Sequence, residues 1–382
     1  MLRGATQHFI KRIALYRVEL PLYEGAYRWA GGKSISVFDA TVVRIETRGG
    51  LVGYGENTPL GSAYLPAHPK GTRAGLEELA PSLLGLDATK INKVNSVMDS
   101  VLKGHPHVKS AVDMACYDIL GKHSGLPVCE LLGGRYDDSF PLYRAISQGS
   151  PSEMAASVDK YLSEGYTKFQ LKVGGRDLAA DIDRIRLCRD MLDVRAGPGV
   201  LPLFCDANTG WLMHEAMQVC NAVSSLPATY IEQPCLSYNE CLSVRRHTPL
   251  PFILDECVDD VHVLNRIIQD KAADCINLKI SKVGGLSKAR VIRDMCVQHG
   301  IAMNIEDSWG GDLVTSAIAA LAQSTPPPLL LCSTDFNSYG PVKMGDTTCR
   351  RVNGRLSAPL EAGLGVDIDE AALGPALFVC QE

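Results

Sequence analysis

TKFQLKVGG (167–175), VLPLFCDANTGW (200–211), TYIEQP (229–234), PFILDE (251–256), DCINLKISKVGG (274–285), IAMNIEDSWGG (301–311) and LLLCSTD (329–335) are short apolar runs that each reach a charged residue. With PLYRAIS (141–147) ahead of them they make eight candidate strands. Between them lie PSEMAASVDKYLSEGY (151–166), AADIDRIRLCRDMLD (179–193), HEAMQVCNAVSS (214–225) and LSKARVIRDMCVQHG (286–300), which have helical spacing. Near-continuous apolar strands are buried on both faces, and parallel strands need a crossover element between them. The economical reading is α/β: a modified (β/α)8 barrel of the TIM type over residues 138–339, with one helix degraded.

The chain ahead of the barrel has a different texture. RIALYRVELPL (12–22) and VFDATVVRIETRGGLVGYGE (37–56) alternate in character, and RGG supplies a tight turn, so an antiparallel sheet is expected. Helical spacing follows from about Thr72 to Ser124, clearest in SAVDMACYDILGKHSG (110–125), with Ser110 placed to cap the helix and Gly125 to end it. His105-Pro106-His107 reads as a loop ahead of it. Residues 1–137 are therefore expected to form an α+β capping domain, with the tail 340–382 packing back on it.

Composition narrows the function. A net charge of −5 gives no basic field for phosphates, so nucleic acid is not an expected partner and a small-molecule substrate is. Thirteen cysteines without a CxxC pair fit reduced thiols rather than a zinc cluster or disulfide framework. No apolar run approaches the roughly 18 residues that cross a bilayer, and a cytoplasmic protein, homo-oligomeric and without membrane association, is expected. The opening MLRGATQHFIKRIALYRVEL, basic and without an acid before Glu19, weakly resembles a transit peptide.

In a barrel of this kind the active site lies at the C-terminal strand ends. Lys172, Asp206, Glu232, Asp255, Lys279 and Glu306-Asp307 close six successive strands. One such residue would be an ordinary solvated strand end. Six would repel or strain one another unless arranged around a ligand. Asp206, Glu232 and Asp255 offer only oxygen, which suits Mg2+, one per subunit. Lys172 and Lys279 flank them as a candidate acid/base pair for removing a proton α to a carboxylate, provided cation charge and burial lower a lysine's pKa. Glu256 should point away from Asp255 and act from behind it. The pairs Gly174-Gly175, Gly284-Gly285 and Gly310-Gly311 fit loops with φ > 0 or simple turns.

QLKVGG, DANTGW, IEQP, LDE, NLKISKVGGLSKAR and IEDSWGGD, together with SAVDMACYDILGK and LLGG, resemble the mandelate racemase/muconate lactonizing enzyme group of the enolase superfamily over almost the whole chain. The resemblance implies Mg2+ on Asp206, Glu232 and Asp255, with Lys172 as the second-strand base and Lys279 as its sixth-strand partner. One departure is Gln170, where many relatives carry the first lysine of Lys-x-Lys; with Asn208 it stands behind the ligands. The Gln-x-Lys form resembles the members acting on proline derivatives, the hydroxyproline dehydratases ahead of the betaine epimerases.

A secondary ammonium or betaine would favour an acidic and aromatic wall. Glu306, Asp307, Trp309 and Asp335 stand at suitable strand ends, and Tyr27, Trp29 and Tyr64 lie in N-terminal loops that, by the resemblance, close over the barrel mouth. Three readings stay open on the residues alone: a dehydratase, a racemase or epimerase, and a non-catalytic barrel. Unrelieved charges in one mouth count against the third.

Overall fold

A computed structural model describes residues 6–382. β1 (Ile10–Pro21), the short hairpin of β2 (Tyr27–Trp29) and β3 (Lys33–Ile35), β4 (Val37–Thr47) and β5 (Val52–Asn57) open the chain. β1, β4 and β5 pair antiparallel, and the expected turn at Arg48-Gly49-Gly50 joins the last two. The basic opening stretch is thus, from Ile10, an inner strand of a sheet, while its first five residues lie outside those described. Helices α1 (Pro69–Leu83), α2 (Ile91–Val101), α3 (Pro106–Ser124) and α4 (Val128–Leu131) follow.

The cap expected for α3 is five residues late, at Ser110 where the helix is entered from His105. Pro106 has its fixed φ suited to a first turn, so the helix begins there, Ser110 is buried within it, and His107 is a core residue rather than part of a loop. Gly125 ends it as expected, at φ 70°.

After β6 (Phe140–Pro141) the barrel strands run in order: β7 (Tyr143–Ile146), β8 (Lys168–Lys172), β9 (Leu203–Asp206), β10 (Thr229–Glu232), β11 (Phe252–Leu254), β12 (Cys275–Lys279), β13 (Ala302–Glu306) and β14 (Leu330–Ser333). Each pairs in parallel with the next, and a bridge between Leu142 and Ser333 closes the ring. The helices between them are α5 (Pro151–Ser163), α6 (Leu178–Ala196), α7 (Met213–Val223), α8 (Tyr238–Arg245), α9 (Val261–Asp270), α10 (Ile280–Val283) with α11 (Leu286–His299), and α12 (Asp312–Gln323). Directly after β14, where the eighth barrel helix would start, stands a single 3-10 turn, Phe336–Ser338, so the last helix is the degraded one.

Phe169, Leu171, Leu203, Cys205, Ile231, Ile276, Leu278 and Ile305 are wholly buried, as two-sided burial of parallel strands requires. The tail divides its contacts. β15 (Gly345–Thr347) pairs with β17 (Val366–Ile368), β16 (Arg355–Leu356) pairs with β6, and, beyond α13 (Glu370–Leu373), β18 (Phe378–Gln381) joins β1 at the sheet edge. Among the described residues no helix is long and apolar enough to cross a membrane. All thirteen cysteines are free thiols.

Candidate active site

Period-two alternation along each strand sends every second side chain into the barrel. Gln170, Asn277 and Asn304 form a polar ladder there: Asn304 Nδ2 donates to Asn277 Oδ1 at 2.9 Å, and Gln170 and Asn277 both donate to Glu232 Oε1, at 2.8 and 2.6 Å. Above the ladder, at the strand ends, Asp206, Glu232 and Asp255 each bring one carboxylate oxygen within 4.8 Å of the others, all three buried. Gly174, at φ 85°, permits this closeness of strand ends, since a Cβ there would stand 2.2 Å from the Ala207 carbonyl oxygen.

Burial, and then the charges of Asp206 and Asp255, push Glu232 well above the usual carboxylate range. Its Oε2 is buried with no hydrogen-bond partner. An orphaned oxygen in a cluster of like charges is costly, and a divalent cation would satisfy both. The residues present therefore fit an oxygen-ligated metal.

Lys172 and Lys279 end strands four places apart in a ring of eight, hence on opposite walls. Lys172 donates to Asp206 Oδ2 and lies 5.8 Å from the centre of the Tyr27 ring. Lys279 Nζ is 2.6 Å from Asp255 Oδ2, 3.5 Å from Glu306 Oε1, and donates to the Tyr64 hydroxyl, which itself bonds Asp255 Oδ2 at 3.0 Å. The lowered lysine pKa expected from sequence is not what these surroundings give. Burial opposes the charge on Lys172, but Asp206, Tyr27 and Glu232 outweigh it and hold the ammonium well above its usual range; Asp255 and Glu306 do the same for Lys279. A bound cation, by offsetting those carboxylates, would reverse the balance.

Tyr27, Leu60, Tyr64, Tyr143, Glu306 and Trp309, with both lysines, line a small cleft at the barrel mouth. Trp309 stacks flat on Phe38 of the capping domain, ring centroids 4.0 Å apart, and touches Tyr27 at 5.1 Å. The remaining expected contacts fall differently. Asp307 borders the cavity, but Ser281 donates to both of its oxygens, and burial raises its pKa to about 6. Asp335 is not brought to the cavity: Cys332 pairs with Asn304, so Thr334 takes the inward place level with Glu306, and Asp335 falls on the outer face, 3.2 Å from Tyr166 and 3.6 Å from Arg351. Trp29 packs behind Tyr27. Glu256 accepts from Asn208 Nδ2 at 3.0 Å, and Asn208 also bonds Asp206, so Glu256 reaches the cluster from behind through one amide.

Two residues that sequence reading passed over belong here. Tyr143, pointing inward from β7 while Arg144 points out, donates its hydroxyl to Glu306. Lys282, buried one turn beyond Lys279, lies 3.0 Å from Asp255 Oδ1. The second was findable, since INLKISK puts two lysines at helical spacing next to a ligand strand.

Residues 33–133 match the mandelate racemase/muconate lactonizing enzyme N-terminal domain, and residues 153–372 match the enolase C-terminal domain-like family. The chain is 54% identical over 357 residues to the cis-3-hydroxy-L-proline dehydratase of Roseibium aggregatum, spanning 94% of this chain and 95% of that one. To the N-succinyl-L-Arg/Lys racemase of Bacillus cereus it is 29% identical over 375 residues, 95% and 96% of the two chains. It superposes on the crystal structure of a mandelate racemase/muconate lactonizing enzyme from Roseovarius nubinhibens with a TM-score of 0.93 at 40% identity, covering 98% of this chain and 99% of the other.

Proposed function

The chain belongs to the mandelate racemase/muconate lactonizing enzyme family of the enolase superfamily, and on that premise we propose that it dehydrates cis-3-hydroxy-L-proline to Δ1-pyrroline-2-carboxylate. The observation that carries the reading is the placement of Lys172 and Lys279 on opposite walls with the carboxylate triad between them. Identity over nearly the full length of a dehydratase supports the choice of substrate.

In cis-3-hydroxy-L-proline the hydroxyl shares a ring face with the carboxylate, so the α-hydrogen and the leaving hydroxyl lie on opposite faces. Elimination is then anti. One lysine takes the α-proton and the other gives a proton to the departing hydroxyl, which leaves as water; the resulting enamine tautomerises to the cyclic imine. Mg2+, held by Asp206, Glu232 and Asp255, would supply positive charge to the substrate carboxylate as the α-carbon is deprotonated. Glu306, buried beside Lys279 and oriented by Tyr143, is placed to face the ring ammonium, with Trp309 and Tyr64 as its apolar wall. Asp307, with both oxygens engaged by Ser281, anchors the first turn of α10 instead.

The same lysine pair would serve a 1,1-proton transfer, as in an epimerase. Incubation with cis-3-hydroxy-L-proline and Mg2+, followed by NMR, separates the two. The imine is the expected product. Interconversion of L- and D-proline betaines with the hydroxyproline left intact would replace the dehydratase reading with the epimerase one.

A further inference from the structure

Protein donors tie at least one oxygen of each triad carboxylate, and Asp206 Oδ2 also takes Lys172 and Asn208 Nδ2. Glu232 Oε1 accepts from Gln170 and Asn277, and Asp206 Oδ1 accepts the backbone N–H of Asn208 at 2.8 Å. Asp255 is held by a cation. Lys282 Nζ bonds its Oδ1 at 3.0 Å and its backbone carbonyl, while Lys279 takes Oδ2 at 2.6 Å. The end of β12 and the first turn of α10 thus carry two ammonium groups, three residues apart, to the two oxygens of one carboxylate.

Lys282 has no part in the substrate cavity. It is 3% exposed and borders a separate cleft of about 460 Å3 with His107, Lys109 and Glu256. A buried ammonium whose hydrogen bonds, among the described residues, all go to the carboxylate and backbone carbonyl of Asp255 makes sense as a fixture of that residue.

We propose that Lys282 is a positioning residue that confines Asp255 to single-oxygen ligation of the divalent ion. The proposal rests on reading the triad as a metal site. For both oxygens to ligate, Oδ1 would have to leave Lys282 and strand a buried charge, which is strongly unfavourable. Three single-oxygen ligands leave about three of roughly six positions around Mg2+ for the substrate carboxylate and water. Lys282 also keeps Asp255 charge-matched, so that Lys279 is free to leave Oδ2 for the substrate.

The test counts water molecules on the metal. In Mn2+-loaded protein without substrate, water 17O relaxation is expected to report about three coordinated waters for the wild type and about one fewer for Lys282→Met and Lys282→Gln, since Asp255 then chelates with both oxygens. Lys282→Arg, which keeps a buried cation in place, is expected to hold the wild-type count. The KM for substrate should rise more than kcat falls in the Met and Gln variants, because the lost position is one the substrate uses. Folding of each variant is checked by thermal melting of the metal-free protein. Should Met and Gln fail to fold, the Arg variant decides: a reduced count there overturns the proposal. A folded Met or Gln variant with the wild-type count overturns it as well. Wild-type protein that takes up no Mn2+ would overturn the metal reading itself, and this proposal with it.

Discussion

Lys279 Nζ lies 2.6 Å from Asp255 Oδ2, so a candidate acid/base group and a candidate metal ligand share one hydrogen bond. A cation that claims Oδ2 releases the lysine toward the cavity. Metal binding and lysine availability are therefore linked, and loss of the metal should leave Lys279 locked to Asp255. Asp255→Asn is expected to abolish measurable Mg2+ binding and to lower turnover by at least roughly 10²-fold, as loss of a main electrostatic stabiliser does. EDTA-treated protein should be equally inactive and recover with Mg2+. Full turnover in EDTA would defeat the metal assignment.

Lys172 and Lys279 should separate when mutated singly. For an anti elimination, loss of the base stops both water loss and exchange of the α-proton with deuterated water. Loss of the acid keeps exchange and slows hydroxide departure. Each substitution to Met should cost about 10²–10⁴-fold in turnover. The informative measurement is α-deuterium incorporation by NMR, and two variants that both retain exchange would contradict the division of labour.

Tyr143→Phe removes the hydroxyl that orients Glu306. The barrel strand should survive, because the ring stays buried, and the stability loss should be about 1 kcal/mol. Binding should suffer more, with KM for an ammonium-bearing substrate rising about tenfold while an uncharged cyclic acid analogue binds as before. Equal losses for both ligands would mean that Glu306 does not face the ammonium.

Much of this was legible in the sequence because buried parallel strands write themselves as apolar runs, and catalysis at their C-terminal ends writes itself as charge. The eight strands, the triad and the two lysines follow from that single rule. Asp335 shows where the rule stops. It closes the last run as the others do, but on β14 the register sets Cys332 beside Asn304, so parity gives the inward place to Thr334 and leaves Asp335 on the outer face with Arg351 and Tyr166. Ser110 shows a second limit. A serine ahead of an apolar stretch is a sound cap signal, yet the whole of α3 around it is packed in the core, and Pro106 starts the helix earlier. Tyr143 left no signal beyond its parity on β7, and parity cannot be assigned until the strand's neighbours are known.

Glu56 ties the capping domain to the barrel and should make that docking pH-dependent. From β5 it accepts the backbone N–H groups of Gly311 and Val314, at 2.6 and 3.1 Å, where α12 begins just beyond Trp309. Burial raises its pKa from 4.5 to about 7, against the pull of those donors and of Thr58. A carboxyl group raised on folding contributes stability that is fully present below its unfolded value near 4.5 and is lost as pH climbs through about 7. Glu56→Gln removes the titration and leaves all other groups in place, so subtracting its unfolding free energy from that of the wild type isolates this one site. The difference should fall by roughly 3 kcal/mol between pH 4.5 and 8, read from denaturant melts at each pH. Parallel profiles across that window would mean that the helix N-terminus holds Glu56 ionised throughout, and that the docking of the two domains is insensitive to pH.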